Sequence, residues 1–415
     1  MRPPYAACVV VGLGGLFFGV TGPLLSTFVP LLVRDALGDQ RTLIGLVMAI
    51  DNLLLLLLVP WAGAASDRAT ASGRGRLPII LTGLILASAG MALFPSSPRF
   101  GLAGIIAAIV LLYGGINLLR SPFHAVIADL VPSKFRPLAS GSVTFQMCVG
   151  AIVFLMLGRM LGMRTAFTIA AITVLAIAAV FTIRLSEPRL ASAADRDGAE
   201  SVGSLTAAAW SAVRGAVPGL RAIFIAASLV QLTFQSFTTW YALHAVERFG
   251  MAPADVTIGF IAWAMGGVVG ALPAGALGVR IGRRNAMVAG FLLMAGSLVA
   301  LDRVSDMRYA IPLLALASAA WTFPTVNAYP LFIEQIPRQR RGVLAALFLL
   351  SMALGGAVGD PLNGTLFDLF GSYRPLFLLM AGYTALAFVA LLFVPAGVGE
   401  ADTGLESVPA SATTA

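Results

Sequence analysis

Residues 43–78 read LIGLVMAIDNLLLLLLVPWAGAASDRATASGRGRLP, and this stretch decides the fold. Its first roughly twenty residues are apolar and long enough to cross a bilayer. Asp51 and Asn52 sit inside that run, where an ionisable group costs roughly 3 kcal/mol or more. An acid kept at such depth has work to do. Directly after the run come Gly63, Ser66, Asp67, Arg68, Gly73, Arg74 and Arg76, a turn-forming loop dense in guanidinium groups that suits a cytoplasmic connection. A buried acid followed by a basic loop points toward transport.

The whole chain repeats that character. Of its 415 residues 59% are hydrophobic and 11% charged, against nearly half and about a quarter in globular domains. It is expected to be an all-α polytopic membrane protein with the lipid bilayer as its main partner. Cys8 and Cys148 both lie in apolar runs, and His124 and His244 are far apart. No disulfide framework, metal cluster or cofactor is expected. The net charge of +8 comes from arginines scattered over the loops, which set orientation and do not form a nucleic-acid patch. The opening apolar segment is too long for a signal-peptide core, so it reads as an uncleaved first span.

Apolar segments of bilayer length number about twelve. Six precede residue 185 and six follow residue 220. The expected organisation is a six-helix bundle over 1–184, a polar cytoplasmic linker over 185–220, a second six-helix bundle over 221–396, and a disordered cytoplasmic tail over 397–415. Lysine and arginine favour the segments on the side of the termini. The positive-inside rule then predicts a multi-pass protein of the plasma (inner) membrane with both termini cytoplasmic. A monomer is expected.

The halves echo each other. GAASDRATASGRGR (63–76) follows the second span and GALGVRIGRR (275–284) follows the eighth. Likewise Asp129-x-x-Pro132-x-x-x-Arg136 closes the fourth span and Glu334-x-x-Pro337-x-x-x-Arg341 closes the tenth, at nearly the same offset. Two related six-helix halves are the architecture of carriers that rock around a midplane site. These motifs resemble the major facilitator superfamily over nearly the whole chain, through Gly63, Asp67, Arg68, Gly73, Arg74 and Arg76. The spacing of that loop, with 121–136 (SPFHAVIADLVPSKFR) and 327–342 (NAYPLFIEQIPRQRRG), is most similar to the sucrose-type and glycoside-proton symporter branch. The resemblance implies two pseudo-symmetric bundles and alternating access. Val279 departs from the usual acid of the second loop, and Tyr113 from the acid of plant-type sucrose carriers.

Three groups of residues are candidates for function. Asp51 and Arg120 lie at similar helical depths, about 24 Å from Asp67 and about 18 Å from Pro132 respectively, and are expected to form a charge pair coupled to protons. Tyr113, Asn117, Arg120 and His124 recur at i, i+4, i+7 and i+11, one polar stripe on an apolar helix. With Gln231 and Gln235 on the seventh span and Trp321, Thr325 and Asn327 on the tenth, they are expected to line a cavity. Amides and hydroxyls beside aromatic faces suit a sugar, although interhelical bonding is the competing reading for each. At the cytoplasmic ends Asp67, Arg68, Arg74, Arg76, Asp129, Arg136, Arg280, Arg283, Arg284, Glu334 and Arg341 are expected to form a gate, Asp67 meeting the N-terminus of the eleventh helix. Asp360, near the outer end of that helix, is a candidate outer gate.

The leading expectation is a secondary transporter taking up a sugar or glycoside with protons, sodium being the alternative ion. An exporter of drugs or metabolites is the second reading, weakened because 139–162 lacks the Gly-Pro motif of drug antiporters. A membrane enzyme finds no paired carboxylates or nucleophile with a base, and a transporter-like sensor would carry longer cytoplasmic additions. Direct ATP drive lacks a phosphate-binding glycine loop.

Overall fold

A computed structural model describes residues 5–132, 135–185, 218–334 and 341–394, with the backbone alone at 128, 137, 218–220, 332–334, 341–350 and 352. Most of the expected linker (185–220) and all of the expected tail (397–415) lie outside the described residues. Twelve helices run through the described part. They are α1 (Tyr5–Leu37), α2 (Arg41–Ala71), α3 (Leu77–Leu93), α4 (Gly101–Leu130), then Arg136–Leu185, which Gly162 breaks into α5 (136–161) and α6 (163–185). The second six are α7 (Pro218–Phe249), α8 (Thr257–Ile281), α9 (Arg283–Arg303), α10 (Met307–Glu334), α11 (Arg341–Phe370) and α12 (Leu376–Leu392).

Local chemistry sets these ends. Gly162 has φ 79° and Gly282 φ 84°, a left-handed region that glycine enters without steric cost, and there the chain turns between α5 and α6 and between α8 and α9. Pro78 sits in the first turn of α3, where its missing N–H removes no helical bond. Eight stretches among the described residues are long and apolar enough to cross a membrane. Large side chains such as Leu57, Leu272 and Val279 are 70%, 84% and 86% exposed. Exposure on that scale fits lipid as the solvent of the outer faces.

Within the first group α1 packs beside α5, α2 and α3 against α4, and α3 against α6. Within the second α8 and α9 pack on α10, and α7 and α9 on α12. Small residues set the closest approaches, as membrane helix packing requires. A β-carbon on Gly15 or Gly19 would overlap the carbonyls of Val143 or Met147. The two groups meet along α2–α11, α1–α7 and α5–α8.

The contacts that glycines make between α2 and α11 run from mid-helix to the end where α2 starts. Gly45 abuts the Asp360 carbonyl, Gly356 abuts Asn52, and Gly364 abuts Arg41. This is the far end, opposite the basic 72–76 turn.

Candidate functional site

A cavity of about 470 Å³ lies between the two groups of helices, within the size range of small-molecule sites. From the first group α2 contributes Asp51 and Asn52, α4 contributes Tyr113 and Arg120, and α1 contributes Phe18. From the second, α7 contributes Gln231, Gln235, Thr238 and Thr239, and α8 contributes Phe260 and Trp263. Apolar residues shape it and a few polar groups point inward.

Asp51 and Arg120 share this cavity, and no ion pair within 4 Å joins them among the described residues. The Asp51 carboxylate instead accepts from Asn117 Nδ2 at 2.9 Å, which ties α2 to α4. Arg120 lies one turn further along α4 with its guanidinium 5.7 Å from the centre of the Phe18 ring. The acid thus has a neutral donor and a nearby cation that is free to take another partner. Tyr113 is buried against the same cavity. His124, the last member of the expected stripe, stacks on Phe18 at 6.4 Å and does not line the cavity.

In the second group Gln231 and Gln235 line the cavity. The three α10 candidates do not. Trp321 stacks behind the lining on Phe234 at 4.7 Å. The Thr325 hydroxyl turns back to the Trp321 carbonyl at 2.9 Å. Asn327 donates to the carbonyls of Ala274 at 3.1 Å and Phe323 at 2.9 Å, so it fastens α10 to α8. A side chain that can bond a neighbouring helix satisfies itself there, because lipid offers no partner.

Asp360, read from sequence as an outer gate, is fully buried beside the cavity wall. Its Oδ2 accepts from Gln235 Nε2 at 3.0 Å, and Gln235 also donates to Thr239 Oγ1 at 3.2 Å. The far end is held by other residues. Asp368 accepts the backbone N–H groups of Arg41 at 3.1 Å and Thr42 at 2.8 Å, while Arg41 donates to the Gly371 carbonyl and lies over the Tyr373 ring. Arg159 pairs with Asp255 at 3.1 Å between α5 and the turn before α8. Glu247 on α7 accepts the Tyr373 N–H at 3.1 Å. Sequence reading did not single out Arg41, Arg159, Asp255 or Asp368. Each resembles an ordinary helix-end charge until its partner, in another part of the chain, is known.

At the basic end Arg76 bonds Asp67, Ser66 and Asp129, linking α2, α3 and α4 inside the first group. Burial opposes the Arg76 charge, and the bonds to Asp67 and Asp129 outweigh it, raising its pKa above the usual value. Arg68 and Arg136 donate to the carbonyls of Ala64 and Val131, Arg284 bonds the Leu392 carbonyl, and Arg280 is exposed. Arg74 is exposed in the turn and Arg283 opens α9. The bonds of Arg68 and Arg76 stay within the first group and that of Arg284 within the second. The side chains of Glu334 and Arg341, and so the expected meeting at the start of α11, lie outside the described residues.

Comparison with known proteins matches this architecture. The sequence profile of the Major Facilitator Superfamily fits residues 11–270 and 223–415. The magnetosome protein MamH of Paramagnetospirillum magneticum (strain ATCC 700264 / AMB-1) is 27% identical over 387 residues, covering 87% of this chain and 86% of that protein. The class B tetracycline resistance protein of Escherichia coli is 23% identical over 373 residues, covering 87% and 88%. The crystal structure of the nucleoside transporter NupG superposes with a TM-score of 0.75 at 13% identity, covering 94% of this chain and all of that one. With its apolar helices and its central cavity between two helix groups, the chain belongs to the Major Facilitator Superfamily, as a multi-pass membrane transporter of a small-molecule solute and not an enzyme.

Proposed function

We propose that the protein is a proton-coupled carrier of a sugar or glycoside, working by alternating access, with Asp51 as the proton-binding group. One observation carries this reading: Asp51 faces the central cavity held by Asn117, with the Arg120 cation within the same cavity and not in contact with it. A buried carboxylate without a paired counter-ion costs several kcal/mol. Arg120 supplies that compensation while it faces Asp51. A solute oxygen that draws Arg120 away removes it, and proton uptake by Asp51 restores neutrality. Solute and proton then travel together.

The sugar class is supported by the amides and hydroxyls of Gln231, Gln235, Thr238 and Thr239 beside the rings of Phe260 and Trp263, since hydroxyls need donors and acceptors while C–H faces pack on rings. It is supported also by the resemblance of the basic loop and helix-end motifs to the sucrose-type branch. With the termini in the cytoplasm, the contacts of Arg41 with Asp368 and of Arg159 with Asp255 join the two groups on the outer side.

Reconstitution in proteoliposomes with an imposed pH gradient tests the reading. Mono- and disaccharides are expected to accumulate in response to an inward proton gradient, and Asp51→Asn to abolish accumulation while sparing solute exchange. Accumulation driven only by sodium overturns the ion assignment. A second reading, export of amphipathic organic compounds, is favoured by the stacked Phe237–Trp263 rings of the cavity wall, 4.0 Å apart, and by the tetracycline resistance relative. Extrusion of a hydrophobic dye by wild type, with no sugar uptake, decides for it.

A further inference from the structure

Asp360 is not used by the mechanism above, yet its surroundings are unusual. The carboxyl is 0% exposed. Its Oδ2 takes one bond from Gln235, and the Thr239 hydroxyl lies beside it. Its Oδ1 is buried with no hydrogen-bond partner, and no lysine, arginine or histidine nitrogen lies within 4 Å of it among the described residues. The ionisable groups facing it are Asp51 from α2 and Tyr113 from α4. From α7 come the neutral Gln235 and Thr239, and the Tyr383 hydroxyl of α12 is committed to Asn363 Oδ1 at 3.0 Å. The carboxyl that faces it is therefore another acid and not a cation.

We propose that Asp360 is a second proton-binding site of the carrier, one in each half of the molecule with Asp51, and that Gln235 transmits its protonation state to the solute. An ionised Asp360 would be a buried anion with a half-satisfied carboxylate and a like charge across the α2–α11 contact. Both features favour the proton-bound form, because an unpaired buried ion costs several kcal/mol and two nearby carboxylates resist ionising together.

Gln235 is the link because it touches both places: it lines the cavity and bonds Asp360. When Asp360 is ionised, it holds the amide NH₂ toward α11 and leaves the Gln235 carbonyl for the cavity. When Asp360 carries a proton, its O–H can donate to the Gln235 carbonyl, and the reversed amide presents N–H donors to the solute. The same acid sits where α11 touches α2, its own carbonyl against Gly45. Proton binding there acts on the solute site and on the contact that closes the far end.

The count of two protons rests on the reading of Asp51 above; the assignment of Asp360 does not. The test is infrared difference spectroscopy of the full-length protein in lipid bilayers during a pH titration, without solute. Wild type is expected to show two buried protonated-carboxyl C=O bands that disappear at high pH. Asp360→Asn should remove one band and leave the other, Asp360→Glu should retain it at a shifted frequency, and Gln235→Leu should shift that same band while leaving the Asp51 band in place. A titration of Asp360→Asn with the same buried-carboxyl bands as wild type overturns the proposal. Should Asp360→Asn fail to assemble, Gln235→Leu decides alone: a shifted band supports the proposal and an unshifted spectrum overturns it. If Asp51→Asn loses no band while Asp360→Asn loses one, the Asp51 reading fails and the Asp360 site stands.

Discussion

Asp368, in the last turn of α11, caps the first turn of α2 across the two helix groups, its carboxylate taking the N–H groups of Arg41 at 3.1 Å and Thr42 at 2.8 Å. Those N–H groups have no partner inside their own helix, and the carboxylate meets the positive end of the helix dipole. Losing a cap of this kind costs about 1 kcal/mol, which is about a fivefold change in an equilibrium. Asp368→Ala should therefore move the carrier about fivefold toward the state open at the far end. Electron-resonance distances between spin labels on the α1–α2 and α11–α12 turns would report it. An unaltered distance distribution counts against the cap as a gate.

Gly45 and Gly382 make a matched pair for testing the same contact. A β-carbon at Gly45 would strike the Asp360 carbonyl, whereas one at Gly382 meets nothing within 4 Å. Gly45→Ala should separate α2 from α11 and cut transport by roughly tenfold or more, in line with a cost of 1–3 kcal/mol for overpacking. Gly382→Ala should leave transport unchanged. Uptake assays on equal amounts of inserted protein distinguish them, and equal activities would show that α2 and α11 need not approach so closely.

Asn117 gives a measure of how Asp51 is held. Its bond to the carboxylate is of the kind worth about 1.5–3 kcal/mol when one partner is charged. Asn117→Ala is expected to reduce proton-driven accumulation by an order of magnitude, with expression and thermal stability less affected. Asn117→Asp, by adding a second acid beside the first, should be worse than alanine. Matching accumulation in wild type and both variants would remove Asn117 from the coupling.

Asn327 should behave in the opposite way. Its bond to the Ala274 carbonyl joins α10 to α8 outside the cavity lining, its second bond turns back to Phe323 within α10, and interhelical bonds in membranes average about 0.6 kcal/mol each. Asn327→Ala should lower thermal stability by about 0.6 kcal/mol and leave solute affinity within twofold. A large rise in KM without loss of stability would return Asn327 to the binding site.

At the basic end, Arg76→Ala removes bonds to Asp67, Ser66 and Asp129 together. Asp67 is 51% exposed, so solvent screens its share and the pair contributes at most about 1 kcal/mol. Asp67→Asn should cost less stability than Arg76→Ala, read from thermal unfolding in detergent. The reverse order would mean that Asp67 has a second partner.

The order of helices, their apolar length and the acid in α2 were all legible in the chain, because spans, turns and buried charges are written in consecutive residues. The α4 stripe was also legible, since helical periodicity alone places Tyr113, Asn117 and Arg120 on one face. What periodicity could not say is which member of that stripe Asp51 takes. Asn117 and Arg120 are one turn apart, and only the rotation of α2 against α4 selects the amide. The same holds on α10, where Thr325 and Asn327 look like cavity residues until a neighbouring carbonyl turns out to lie within reach.

Sequence by itself determined a membrane protein of paired helix groups, through hydropathy that no aqueous fold could bury and through motifs repeated in both halves. Tertiary structure alone decided that Asp360 is buried against Gln235 and that Asp368 bridges to Arg41. The physical reason is distance along the chain: those contacts join residues 125 and 327 positions apart. No local propensity encodes such pairs; the first arises where α7 packs on α11, and the second where close packing at Gly45, Gly356 and Gly364 brings α2 and α11 together.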